Sequence, residues 1–259
     1  MARLNLSGTV VGDDVGPIYA YFDYPVIYPK QVRDAIENNP AGEELVLEVN
    51  STGGSVWAGF EIYTMLRASN VHSVAEVQSV AASAASTITS GCSEVRMSPV
   101  GQLMIHDPAL CGGGNIREHK EGLQMLTAIK ESILNGYMAR CGGKCTRQRL
   151  ADLMSKETFL TAEKAVELGL ADSILYEDEE SVNLSAIINS AQTGVQNALH
   201  LGAPLPAFDE LKARYDREIA AQSGEQSGPT VDPAGATPAQ HTDAWQAQAA
   251  LNIEKNRYL

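Results

Sequence analysis

The sequence predicts an α/β fold in which parallel strands are layered with helices, and two observations carry that prediction. Apolar strand-like runs alternate with helix-period segments from about residue 45 to residue 169, the pattern of βα units that cover a parallel sheet. The run Leu45-Val46-Leu47-Glu48-Val49 ends at Asn50, after which Gly53-Gly54-Ser55 opens a helix with Val56, Phe60, Tyr63 and Leu66 at helical spacing. Further along, Val71 to Val77 reads as a second strand and Ala81 to Thr89 as a helix of small residues. Glu94 to Met97 and Gln102 to His106 are short strands. A long helix is expected from about Arg117 to Met138, with Leu123, Leu126, Ile129, Ile133 and Tyr137 on one face. Thr146 to Met154 and Thr161 to Gly169 complete the series as shorter helices, the second stopped by its glycine.

Composition changes near residue 175. An acidic run, Glu177-Asp178-Glu179-Glu180, is followed by Ala-, Gln-, Gly-, Ser- and Pro-rich chain, in which five of the 11 prolines fall between Pro204 and Pro238. Residues 1–175 are therefore expected to form the folded domain and residues 176–259 a largely disordered acidic extension. Two islands in the extension, Phe208 to Gln222 and Ala244 to Tyr258, have weak helical amphipathicity that suits order on meeting a partner.

With 44% apolar and 20% charged residues, the 259-residue chain can bury a sizeable core. Its net charge of −13 argues against nucleic acid and anionic membranes as partners, because affinity for a phosphate backbone comes mainly from Lys and Arg. Only Arg3 supplies a basic side chain before Lys30, and no long apolar run follows it, so no signal peptide and no membrane span are expected. A cytoplasmic location follows, and the 4 cysteines suit a reducing compartment.

Several chemistries lack their motifs: there is no G-x-S-x-G elbow, no H-E-x-x-H and no complete G-x-G-x-x-G. Gly143-Lys144 is followed by Cys145 and has no upstream glycine of a phosphate loop. Cys141 and Cys145 stand at the i,i+4 spacing that could place them on one helix face, but no further His or Cys pair stands near them in sequence, so neither metal nor cofactor is expected.

Three segments stand out for chemistry. Asn50-Ser51-Thr52-Gly53-Gly54-Ser55 puts a glycine pair at a strand-to-helix turn, where a ligand carbonyl could approach backbone N–H groups. The plain alternative is a tight connection. Ala81-Ala82-Ser83-Ala84-Ala85-Ser86 sets a serine among alanines at a helix start, with room for a polypeptide, although Ser could simply replace Ala in a close-packed helix. Met104-Ile105-His106-Asp107-Pro108 ends an apolar strand on a histidine, and a lone histidine at a strand end is more often structural than catalytic. Serine hydrolysis needs a base within reach of the hydroxyl and a group that orients the base, and spacing alone does not pair Ser83 with His106.

These segments, with Glu157-Thr158-Phe159-Leu160-Thr161-Ala162-Glu163 and Gly169-Leu170-Ala171-Asp172, resemble in order the ClpP family of serine peptidases. Within it the string A-A-S-A-A-S and the E-T-F-L-T-A segment are most similar to the head maturation proteases of tailed phages and prophages. The resemblance spans about residues 15–175. It implies layered β-sheets of the ClpP/crotonase type built from repeated ββα-type units, with a protruding handle helix at Arg117 to Met138 that joins protomers into rings.

By resemblance Ser83 falls at the nucleophile, His106 at the general base and Glu157 at the acid, where ClpP proper has Asp. Gly53 and Ala84 fall at the backbone donors of the oxyanion hole. Thr52 stands where the usual turn has proline, and Ala84 where Met is common. Ser86 competes as nucleophile from one helical turn deeper; Asp107 competes as acid but should face away from His106; Asp152 and Asp172 are further alternatives; and His119 reads as a solvated helix residue. The implied substrates are capsid or scaffold polypeptides during prohead assembly, with the chain's own C-terminal extension as another. Rival readings are a housekeeping ClpP-type peptidase with an AAA+ unfoldase, a crotonase-like acyl-CoA enzyme, and an inert scaffold protein.

Overall fold

Leu45, Leu47 and Val49 are fully buried beside Ala75 and Val77 of the next strand, so the apolar runs seen in sequence form the middle of one sheet. The computed structural model describes residues 2–110, 112–176 and 205–223. Its strands are β1 (Ala2–Val10), β2 (Val26–Ile27), β3 (Leu45–Gly54), β4 (Ser73–Ala82), β5 (Glu94–Met97), β6 (Gln102–Ile105), β7 (Thr158–Thr161) and β8 (Ser173–Ile174). The helices are α1 (Gly16–Tyr21), α2 (Pro29–Glu37), α3 (Val56–Ala68), α4 (Ala84–Gly91), α5 (Ile116–Cys141), α6 (Arg147–Ser155), α7 (Ala162–Leu168) and α8 (Phe208–Ser223).

The main path of the sheet runs β2-β1-β3-β4-β5-β8, all parallel. Strand β4 serves two partners on one edge: Val74–Val77 pair with Glu94–Met97 of β5, and Val80–Ala82 pair with Gln102–Met104 of β6. β7 then joins β6 antiparallel. The outer half of β4 thus carries β6 and β7 as a branch of the same sheet while Ala81 stays paired with Ser51 of β3, and the end of this branch is where Ser83 and His106 emerge.

The helix expected from Ala81 begins later. Ala81 and Ala82 still pair with Leu103 and Met104, and α4 starts only at Ala84. Sheet pairing overrides the helical propensity of alanine at these two positions. All of α4 is buried, and its small side chains admit close neighbours: a Cβ on Gly91 would stand 2.9 Å from the Tyr63 backbone of α3.

α5 is opened by a capping box between Asn115 and Glu118 and closed by Gly142 in the left-handed conformation. Its first turns are mostly exposed, including Ile116 and Leu123, whereas Ile129, Ile133, Leu134 and Tyr137 are buried against the domain. The helix therefore protrudes at its N-terminal end.

One expectation for the extension changes. The island Phe208 to Gln222, expected to order on meeting a partner, is the helix α8 (Phe208–Ser223) and packs on its own chain: Leu211 is buried with Tyr19 and Val26, Tyr215 meets Tyr21 edge-on, and the Arg214 guanidinium lies 4.4 Å from the Phe22 ring centre. Tyr19 also donates to Pro206 O at 2.9 Å. The aromatic residues of α1 and of the turn after it, Phe22 and Tyr24, supply a partner surface that helical periodicity could not foretell. The island Ala244 to Tyr258 lies outside the described residues.

Candidate active site

Ser83 sits at the corner between β4 and α4 with φ +55° and ψ −124°, a conformation that L-residues rarely adopt. The corner holds because Ser83 N–H donates to Met104 O at 3.0 Å and Ser83 O accepts from Ser86 N–H at 3.0 Å. The turn lifts the hydroxyl out of the sheet layer. One residue past the end of β6, His106 Nε2 lies 2.7 Å from Ser83 Oγ. In the tautomer protonated on Nδ1, Nε2 accepts the Ser83 O–H, the arrangement of a nucleophile with its base.

Glu157 reaches the same place by register. The last pair of the β6–β7 ladder is Ile105 with Thr158, so the next residues outward are His106 and Glu157. Glu157 also has positive φ, +49°, held by its own N–H donating to Met154 O at 3.0 Å and by Thr158 Oγ1 donating to Leu153 O at 2.7 Å.

The oxyanion-hole expectation needs one correction. Gly53 N–H donates to Ser51 Oγ at 3.0 Å, and that hydroxyl donates to Gly8 O at 2.6 Å, so the Gly53 N–H faces β1 and is already engaged. Gly54 is paired with Val10 and Ser55 N–H donates to Val10 O, which turns the Gly53 carbonyl toward β1. The Gly54 N–H, trans to that carbonyl across a planar peptide, points the other way, to the side where β4 delivers Ser83. Gly54, not Gly53, lines the cavity with Ser83, Ala84 and His106. Gly53 contributes instead by lacking a side chain: a Cβ there would stand 2.7 Å from both Ala82 O and Ser83 Cβ. Ala84, as the first residue of α4, has a backbone N–H without an intrahelical acceptor.

The competing residues are all accounted for. Ser86 is fully buried, with Oγ donating to Ser83 O at 2.6 Å and lying 2.7 Å from Tyr137 Oη, so it supports the Ser83 turn from beneath. Asp107 is ion-paired with Lys130, Asp152 accepts from Gln148, Asp172 meets Arg140 and the Val95 N–H, and His119 is exposed on α5. Among the described residues no cluster of His, Cys, Asp and Glu could hold a metal ion. Burial pushes the Cys141 thiol up to about 11, so the Cys141–Cys145 pair reads as buried thiols.

The cavity beside Ser83 continues into an apolar wall of Leu110, Met125, Leu126, Ile129 and Ile133. The apolar face of α5 is visible in the sequence, but that part of it lines the site is not. Nor does the sequence single out Gly54, Ser51 and Tyr137 from their neighbours. The glycine pair was visible, but which of its two N–H groups is free depends on the β1 pairing.

A model of the Clp protease family matches residues 34–178, a span that holds Gly54, Ser83, His106 and Glu157. The chain belongs to the Clp protease family. Relatives include the ATP-dependent Clp protease proteolytic subunit 1 of Chlamydia abortus, 29% identical over 169 residues that cover 60% of this chain and 85% of the relative. The ATP-dependent Clp protease proteolytic subunit of Bdellovibrio bacteriovorus is 30% identical, covering 59% of this chain and 79% of its own length. Within this Clp protease, α1 and α2 begin before or at the edge of the matched span, and α8 lies wholly beyond it.

Proposed function

We propose that this Clp protease is a serine endopeptidase whose peptide-bond chemistry runs through Ser83, His106 and Glu157. The 2.7 Å contact between Ser83 Oγ and His106 Nε2 carries the reading. His106 takes the hydroxyl proton as Oγ attacks a peptide carbonyl, then returns it to the leaving amine. Glu157 orients the imidazole and stabilises its charged form. The oxyanion forms between the N–H groups of Gly54 and Ala84, and water then releases the acyl group with His106 as base. Hydrolysis of a peptide by this route consumes no ATP.

For the biological substrate we favour capsid or scaffold polypeptides in head maturation, with the enzyme assembled as a homo-oligomeric ring in the host cytoplasm and within the assembling prohead. Support comes from the A-A-S-A-A-S and E-T-F-L-T-A strings. The chain's own acidic extension is a further candidate substrate. The relatives' names favour a second reading, a proteolytic subunit partnered by an ATP-dependent unfoldase.

Reaction with a fluorophosphonate tests the chemistry: wild-type chain should be labelled at Ser83 and should hydrolyse peptides, and Ser83→Ala should do neither. Labelling elsewhere, or hydrolysis that survives Ser83→Ala, would sink the assignment. Coexpression with a capsid protein separates the two biological readings, since Ser83-dependent capsid cleavage without an ATPase supports head maturation. Copurification of an ATPase with uncut capsid supports the unfoldase partnership. An inert scaffold would give identical capsid processing with and without Ser83.

A further inference from the structure

The side chains of Asp107, Lys130 and Ser155 form a closed triangle at the edge of the site. Lys130 Nζ lies 2.8 Å from Asp107 Oδ1 and donates to Oδ2 at 2.9 Å. It also donates to Ser155 Oγ at 2.9 Å, and Ser155 Oγ donates to Asp107 Oδ2 at 3.0 Å. Each corner stands next to a functional element: Asp107 follows His106, Ser155 is two residues before Glu157, and Lys130 follows Ile129 of the cavity wall.

The backbone beneath repeats the connection. Met154 O accepts both Asp107 N–H at 3.2 Å and Glu157 N–H at 3.0 Å. Two segments that leave the β6–β7 ladder, one bearing His106 and the other Glu157, are thereby pinned to one carbonyl and then tied by the triangle to α5. A pair this exposed adds little to folding stability, so its consequence lies in position.

We propose that Lys130, with Asp107 and Ser155, is a positioning clasp that holds His106 and Glu157 in catalytic register and makes that register depend on where α5 lies. Lys130 touches neither substrate nor reacting atoms; it acts through Asp107 and Ser155. The inference rests on the serine peptidase reading above. A loosened clasp leaves the apolar wall in place, so substrate still binds while proton transfer between Ser83 and His106 loses its geometry.

The test uses the full chain as wild type, Lys130→Met, Asp107→Asn, the double variant and Lys130→Arg. Readouts are kcat and KM on a fluorogenic peptide and the rate of fluorophosphonate labelling at Ser83, with oligomeric state and melting followed alongside. Lys130→Met and Asp107→Asn should each lower kcat and the labelling rate about tenfold with KM changed less than about twofold. The double variant should lose no more than either single one, and Lys130→Arg, which keeps the charge and two donors, should recover most of the loss. Unchanged kcat in Lys130→Met, losses that multiply in the double variant, or an effect confined to KM would each overturn the clasp. Should Lys130→Met fail to fold, Asp107→Asn and Ser155→Ala carry the same comparison. A wild-type Ser83 inert to fluorophosphonate would overturn the peptidase reading, and the clasp with it, before any variant is compared.

Discussion

His106 Nε2 stands 2.7 Å from Ser83 Oγ because Ala82 of β4 is paired with Met104 of β6, so two strands running side by side release a serine and a histidine at the same end. Ser83 leaves at once into a strained turn, and His106 leaves one residue after β6 ends. The contact is a product of register rather than of distance along the chain.

The same logic applies to Glu157, next outward from Thr158 across from His106. Glu157→Gln keeps the size of the side chain and removes its charge. Peptide hydrolysis should fall by roughly 10²–10⁴-fold, since an amide cannot stabilise imidazolium as a carboxylate does. Oligomeric state by size exclusion should be unchanged. Full turnover in this variant would move the third role to another carboxylate.

Ser51 and Gly53 shape the turn beside Ser83, while the N–H that faces the cavity belongs to Gly54. Ser51→Ala leaves the Gly8 carbonyl and the Gly53 N–H without their shared buried hydroxyl, a loss of about 2 kcal/mol, which lowers Tm by roughly 4–8 °C for a domain of this size. Gly53→Ala should act differently, because its Cβ would push on Ala82 O and Ser83 Cβ directly. Loss of fluorophosphonate labelling out of proportion to the Tm change is the expected signature; labelling at the wild-type rate would mean the turn tolerates the methyl group.

Burial raises the Cys92 thiol from its ordinary 9.0 to about 12 and Cys141 from 9.0 to about 11. The thiolate is the reactive form, so at pH 8 Ellman's reagent should modify these two thiols only after denaturation. The linkage has a definite sign: below the ordinary thiol value both native and unfolded chains keep their protons and stability is undiminished. As pH rises from about 9 toward 12 the unfolded chain ionises first, and stability falls. Urea midpoints between pH 8 and pH 10.5 measure it, and a midpoint that rose over that interval would contradict the assignment.

Leu211 anchors α8 on Tyr19 and Val26. Leu211→Asp puts an unpaired carboxylate into that cluster and should release the helix, lowering Tm by several degrees and exposing Tyr215 and Tyr21 to solvent. The main core, built around β3, β4 and α4, contains none of these residues, so Ser83 labelling should persist. An unaltered melt and unaltered protease sensitivity near Phe208 would show that α8 does not dock in solution.

The α/β class, the βα unit at Leu45–Leu66 and the helix carrying Ile129, Ile133 and Tyr137 were legible because local periodicity and glycine punctuation report burial directly. So were Ser83, His106 and Glu157 as candidates, through the order of short motifs. What the sequence could not decide were matters of pairing between distant segments. Ala81 and Ala82 became strand because β6 offered them partners; the free N–H passed from Gly53 to Gly54 because β1 and Ser51 claimed the first. Asp107 is ion-paired with Lys130, and α8 found a surface on α1. A residue's type and its neighbours set which element it joins and what chemistry it offers. Which donor stays free, and which side chains meet at one end of the sheet, are settled only when strands far apart in the chain have taken each other's hydrogen bonds.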